Sequence, residues 1–407
     1  MVGRDPDQPH RASTPLELLF DLAFVVSFGQ AADQLAHAIA FGHASSGAIA
    51  FVFVVAATCW AWVNFSWFAS AYDTDDWFYR IATMVQLTGV VVFALGIPAF
   101  FASLEEGAHV DNAVLVAGYV VMRIALIGQW LRVARQDHLR RTTALRYAAF
   151  VGGAQVGWVV LALFALQPAL FFIFAVALFA TEFVGPVLLE RSAEGTPWHP
   201  EHIAERYGLL AIISLGEGIF GTVAAVSSLV QAVGWSLEAA IVVLTGVMLT
   251  FGLWWSYFIT PSGIVLRRHR GRVHAWNYSH IPLYASIVAT GAGLHVAAYV
   301  LEGNASASIA DAVLAVAVPI LLFTVTLIAM YTLLLRTFDP FHVLLAVVAT
   351  VVLAIGVGTS FAGAPLGISL ILVALSPAVI VVGFETIGHR HQADALAVTL
   401  ITQERPS

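Results

Sequence analysis

From Leu16 to Ile387 the sequence is an almost unbroken series of apolar runs, each near the length of about 20 residues that a helix needs to cross a bilayer. Lipid is therefore the solvent around this fold. The runs lie near 16–36, 47–69, 78–103, 112–131, 145–166, 168–190, 203–230, 236–259, 275–300, 310–336, 341–361 and 366–387. The composition agrees: of 407 residues, 60% are hydrophobic and 11% charged, against about 25% charged in an average soluble domain. The expected fold class is an all-α polytopic membrane protein with about twelve transmembrane helices, flanked by short tails at 1–15 and 388–407. The separation of the fifth and sixth runs rests mainly on Pro168, a residue well tolerated at the start of a helix. The first run carries Glu17 and Asp21 where a cleavable signal needs an uninterrupted apolar stretch, so it is read as a span.

Orientation follows from the cations, because cytoplasmic loops carry the excess of Lys and Arg. All 18 basic residues are arginine. With the N-terminus inside, Arg4, Arg11, Arg80, Arg132, Arg135, Arg140, Arg141, Arg146 and Arg191 fall on one side. Arg267, Arg268, Arg270, Arg272, Arg336, Arg390 and Arg405 continue the series, while the opposite loops near 37–46, 104–111, 231–235, 301–309 and 362–365 hold no arginine. Both termini are expected in the cytoplasm. No basic patch extends beyond these clusters, so a nucleic-acid partner has no support. The single Cys59 permits neither an intramolecular disulfide nor a cysteine metal site.

The two halves, 16–190 and 191–387, rhyme. Glu17 followed by Ser27-Phe28-Gly29-Gln30 corresponds to Glu205 followed by Ser214-Leu215-Gly216-Glu217, and Asn64-Phe65-Ser66-Trp67-Phe68 to Trp254-Trp255-Ser256-Tyr257-Phe258. Six spans separate each pair, which suggests a parallel 6+6 internal repeat of the kind found in secondary transporters. Chance likeness among Gly-, Phe- and Trp-rich helices is the competing explanation.

Ionisable side chains inside spans cost roughly 2.5–3.5 kcal/mol at a helix centre and mark a functional interior by default. Glu17 and Asp21 are four apart and share a face of the first span. On the seventh, His202, Arg206 and Glu217 fall within about 60° of one another, with Glu205 beside them. Asn64 on the second span, Arg123 on the fourth, Glu182 on the sixth and His280 on the ninth complete the polar candidates. With the orientation above, all but the midplane Glu217 lie in the cytoplasmic half. One ionisable cluster opening toward the cytoplasm is expected, with Arg123 and Arg206 each paired to a carboxylate. The competing readings are snorkelling for Glu205 and Arg206, a static ion pair for Arg123, and a hydrogen-bonded interior histidine for His295.

His199, Glu201, His202 and Glu205 form H-x-E-H-x-x-E, whose residue types suit a metal, but a tight site needs further ligands from another span. No metal and no cofactor are assigned. H-E-x-x-H, G-x-S-x-G, P-loop and dinucleotide fingerprints are absent.

The segment Thr14-Pro15-Leu16-Glu17-Leu18-Leu19-Phe20-Asp21-Leu22-Ala23-Phe24-Val25 resembles a signature of the bacterial low temperature requirement A family. So do His202-Ile203-Ala204-Glu205-Arg206-Tyr207-Gly208-Leu209 through Ser214-Leu215-Gly216-Glu217-Gly218, and His280-Ile281-Pro282-Leu283-Tyr284 through His295. The family often has Ser in place of Gly218. The resemblance spans the whole membrane region and implies a bacterial inner-membrane protein; it implies no particular chemistry. Three functions compete. A proton- or cation-coupled secondary transporter would use Asp21 or Glu217 for the coupling ion, with Arg123 or Arg206 facing an anionic solute or that acid. An intramembrane enzyme on a lipid-type substrate would use His202, Glu205 and His280. A non-catalytic sensor or scaffold would use the charges only to hold its helices. The expected partners are the bilayer and an unidentified small solute or ion.

Overall fold

The computed structural model describes residues 1–8, 11–191, 195–303 and 305–401. Arg405 and the rest of the C-terminal tail beyond 401 lie outside them. The helices are α1 (Pro15–Ala40), α2 (Ala44–Tyr72), α3 (Trp77–Glu106), α4 (Ala113–Gln136), α5 (Arg141–Leu163), α6 (Pro168–Glu190) and α7 (Pro200–Val233). They continue as α8 (Leu237–Phe258), α9 (Ser262–Arg268), α10 (Val273–Leu301), α11 (Ile309–Leu335), α12 (Pro340–Phe361), α13 (Leu366–Gly383) and α14 (His389–Ile401). Twelve of the helical segments are long and apolar enough to cross a membrane, and no strand occurs among the described residues. The protein is an all-α polytopic membrane protein.

Local chemistry sets the helix ends. Asp76, Ser236 and Ser308 cap α3, α8 and α11 by accepting backbone N–H groups of the first turn, and Ser308 with Asp311 closes a reciprocal capping box. Gly107 ends α3 at φ 71°, a left-handed conformation open to glycine at no steric cost. The break between α5 and α6 falls just before Pro168, which occupies the first turn of α6. The C-terminal segment departs from a plain tail. After a wide helical turn at Phe384–Gly388, α14 runs to Ile401. Its last carbonyls are satisfied by basic side chains, with Arg268 Nε donating to Leu400 O at 3.1 Å and His269 Nε2 to Thr399 O at 2.7 Å.

The chain divides into two compact units. The first comprises residues 1–31 and 57–206, the second 32–56 and 207–407. Helices α1, α2 and α7 each contribute to both.

In the first unit α3 and α4 meet along a glycine seam. A Cβ at Gly118 would stand 2.2 Å from the backbone nitrogen of Phe93 and 2.6 Å from Gly89 O, so the backbones themselves are in contact. In the second unit α10 and α7 meet in the same way at Gly291 and Gly221.

Candidate functional site

In the first unit the opening turn of α1 is a capping box. Thr14 N–H donates to Glu17 Oε2 at 2.8 Å, and Glu17 N–H donates to Thr14 Oγ1 at 3.3 Å. One turn on, Asp21 projects from the same face. From α7, His202 and Arg206 are likewise four residues apart, so two pairs of like spacing face each other. Arg206 Nε donates to Asp21 Oδ2 at 2.9 Å, Nη2 donates to Asp21 Oδ1, and Nη1 lies 3.1 Å from Glu17 Oε1. His202 Nε2 is 3.2 Å from Glu17 Oε2. From α2, Trp62 Nε1 donates to Asp21 Oδ1 at 2.6 Å. These four ionisable side chains have 0% exposure. Above the guanidinium, the rings of Trp62 and Phe65 each lie 5.7 Å from Arg206 Cζ.

Two carboxylates face one guanidinium here, and the His202 imidazole stands against the one that Arg206 grips less fully. Arg11 closes the rim. It is buried, and its guanidinium donates to the carbonyls of Ala69, at 2.7 Å, and Ser70, both near the end of α2. Burial pulls its pKa down to about 10, with Glu17 opposing the shift. His199 accepts the His202 N–H on Nδ1 at 3.2 Å, so its Nε2 carries the proton that it donates to Gln8 O at 2.8 Å.

A second network in this unit joins α4, α5 and α6. Glu182 accepts from Tyr119 Oη at 2.6 Å, Trp158 Nε1 at 3.0 Å and Gln155 Nε2 at 3.4 Å. Arg123 donates to the Tyr119 hydroxyl at 2.6 Å and stands 3.7 Å from Glu182. The hydroxyl relays the ion pair. Both arginines are thus matched to carboxylates, but through separate networks.

The remaining sequence candidates lie elsewhere. Asn64 donates to Trp60 O of its own helix at 2.8 Å. Glu205 is exposed and accepts the Ser13 N–H at 3.3 Å. In the second unit, His280 donates from Nδ1 to Trp276 O at 2.7 Å and accepts from Tyr257 Oη on Nε2 at 3.1 Å, enclosed by the rings of Tyr207, Trp276 and Tyr284. Both imidazole nitrogens are satisfied, so the histidine is held in one tautomer. Glu217 lies at the middle of the 34-residue α7, 4% exposed, with its backbone pressed on Gly291. No basic side chain of its unit forms an ion pair with it among the described residues. A cavity of about 10 Å³, room for one water, lies among Leu215, Gly218, Thr250 and Thr290, and Glu217 is not part of its lining.

The H-x-E-H-x-x-E run does not converge: His199 faces Gln8, His202 faces Glu17 and Glu205 is at the surface. Among the described residues no three metal-type side chains gather. Sequence reasoning missed Trp62, Tyr119 and Trp158 as partners of the buried acids, since nothing in an apolar run marks which indole or phenol turns toward a charge. It used Arg11 only as a topology marker, although its distance of six residues from Glu17 was a usable signal.

The chain is 26% identical, over 297 residues, to an uncharacterized protein of Rhizobium meliloti (strain 1021), a match covering 70% of this chain and 68% of that one. No solved structure matches it. The family model of the bacterial low temperature requirement A protein matches residues 12–377, which include both faces of the Arg206 centre as well as Glu217 and His280. The chain belongs to the bacterial low temperature requirement A protein family.

Proposed function

We propose that this protein is a secondary transporter of a small solute in the bacterial inner membrane, coupled to a proton or cation that binds at Glu217. The observation that carries this reading is the contrast between its acids. Glu17, Asp21 and Glu182 are each matched by arginine, whereas Glu217, similarly buried and at mid-helix, forms no ion pair with a basic side chain of its own unit among the described residues. A desolvated carboxylate without a counter-charge is neutralised by taking up a proton or a small cation, and transporters place their coupling sites at this depth. The arginine bias supports cytoplasmic termini, which puts the Glu17–Asp21–Arg206 centre in the cytoplasmic half. On this reading that centre is a charge lock, and an anionic solute competes with Asp21 for Arg206. The rhyme between residues 16–190 and 191–387 supports descent from a six-span duplication.

The test is uptake by protein reconstituted in liposomes, over a broad solute panel and with imposed proton or sodium gradients. Gradient-driven flux that disappears in Glu217→Gln supports the reading. No flux for any solute, together with Glu217→Gln and Asp21→Asn indistinguishable from wild type in cold growth, ends it.

A scaffold role has one observation in its favour: Arg123 and Glu182 are matched in charge to each other through the Tyr119 hydroxyl. It predicts that substitutions in the charged centres lower the amount of protein in the membrane and nothing else. An enzyme acting on lipid from the cytoplasmic side is less well supported, because His280 has both nitrogens engaged and Glu205 stands apart from His202.

A further inference from the structure

We propose that Asp33 and His295 form the outward arm of a proton path that ends on Glu217. This rests on the transporter reading of Glu217 and on cytoplasmic termini, and it names the coupling ion and the side from which it enters.

All three side chains belong to the second unit. Asp33 lies seven residues before the end of α1 and His295 six residues before the end of α10, each about 10 Å along its helix axis from that end. The two ends are tied together, since the N–H groups of Ser306 and Ala307, in the loop after α10, donate to Ala40 O at 2.9 and 3.1 Å. Asp33 and His295 therefore sit at matched depth, with His295 Nδ1 3.8 Å from Asp33 Oδ1.

From His295 the path continues inward along the α7–α10 seam. A Cβ at Gly221 would stand 3.1 Å from His295 Cδ2, the ring carbon next to Nε2, and a Cβ at Gly291 would stand 2.6 Å from the backbone of Glu217. Gly221 and Glu217 are one turn apart on α7, as are His295 and Gly291 on α10. The imidazole thus lies one helical turn outward of the carboxylate, on the same seam.

The chemistry of each station suits its place. The Asp33 side chain is 55% exposed, and a carboxylate at that depth is stable only where water reaches it. The side chain of His295 is 20% exposed, and its Nε2 is buried without a hydrogen-bond partner. Glu217 is the buried terminus. Other polar groups face the mouth: His37 from α1, Tyr299 with its ring 6.4 Å from that of His37, and Glu302, which accepts from Ser228 Oγ at 2.7 Å. All of the formal charge there is acidic, which draws protons in and repels anions. In the transfer, a proton taken from water by Asp33 passes to Nδ1 of the neutral imidazole. The imidazolium then releases its other proton from Nε2 toward Glu217, and a tautomer flip resets the ring. No electron moves and no co-reactant is needed.

The test needs no transported solute. Cys59 is the only cysteine, so a Cys59→Ser background carrying Asp33→Cys or His295→Cys is probed with a membrane-impermeant thiol reagent, added to spheroplasts or to inverted vesicles. The expected result is reaction of both positions from the outer face, slower at 295. Reaction from the cytoplasmic face alone, or at neither position from either face, overturns the proposal. Infrared spectroscopy gives a second readout on full-length protein in liposomes. A protonated-carboxyl band that is lost in Glu217→Gln should exchange with deuterium about 100-fold more slowly in His295→Gln, and unchanged exchange overturns the relay. If labelling and exchange behave as expected but no gradient drives flux, the transporter reading fails and the proton path stands. If flux is present and labelling fails, the reverse holds.

Discussion

Arg206 grips Asp21 with two nitrogens of its guanidinium fork while a third meets Glu17, and all three side chains are sealed from solvent. Removing one member of such a set leaves a buried charge uncompensated, which costs about 3–5 kcal/mol. Arg206→Gln should therefore sharply reduce the folded protein recovered from membranes. Arg206→Lys should rescue little of it, because one ammonium cannot reproduce the fork across two carboxylates. Asp21→Asn added to Arg206→Gln should recover part of the loss. Fluorescence-detected gel filtration of the four proteins checks this, and a double variant no better than Arg206→Gln contradicts the pairing.

The hydroxyl of Tyr119 is the hinge of the other ion pair, accepting from Arg123 and donating to Glu182. Tyr119→Phe keeps the ring and removes both bonds, leaving a guanidinium and a carboxylate each short of one partner. The expected cost is about 1–3 kcal/mol, read as a lower unfolding temperature in detergent. Per folded molecule, uptake should be unchanged. Loss of uptake at normal abundance would move this network from scaffold to site.

Much of the fold was legible because the membrane imposes it. Apolar runs gave all twelve spans and Pro168 the weakest boundary, since lipid leaves the backbone few alternatives to a helix. The continuation into α14 was not legible, because its register depends on Arg268 and His269 meeting carbonyls more than 100 residues away. The candidate site was legible by halves. Helical spacing put Glu17 with Asp21 and His202 with Arg206, and those pairs do face each other. Spacing reports a face of a helix and not its neighbour, however, so the expectation of one shared cluster could not separate Arg123 and Glu182, which close on each other through α4 and α6. Glu205 shows the same limit: one residue from Arg206 is about 100° of rotation, enough to carry it to the surface.

The Gly291 contact offers a control internal to the fold. An added Cβ there meets the Glu217 backbone at 2.6 Å, and two packed helix backbones give way only by separating. Gly291→Ala should cost about 1–3 kcal/mol, as overpacking does. Gly128, on α4, has nothing within 4 Å of its Cβ position, so Gly128→Ala should be neutral or stabilising by up to about 1 kcal/mol. Unfolding temperatures of the two variants, compared with wild type, should move in opposite directions or differ clearly. Equal shifts would mean that the seam is looser than the structure has it.

At the entrance to α3, Asp76 accepts the Tyr79 N–H as a cap and holds Arg132 with two hydrogen bonds of 2.8 and 2.6 Å. The hydrogen bonds from Arg132 hold its carboxyl well below the usual carboxylate range. A group whose folded-state pKa is depressed contributes stability above its unfolded value, about 3.9, and loses it as pH falls through the folded value. Its share is thus complete at neutral pH and fades only in acid. Because the pair is partly exposed, solvent screening limits that share to about 1 kcal/mol or less. Asp76→Asn keeps a competent cap and removes the charge, so it should lower the unfolding temperature at neutral pH slightly. The gap to wild type should close as pH drops below about 4. Asp76→Ala should lose about 1 kcal/mol more, for the cap, and keep that deficit at every pH. Thermal unfolding of the three proteins across that range checks the sign, and a gap that widened in acid would assign the depressed carboxyl to a different aspartate.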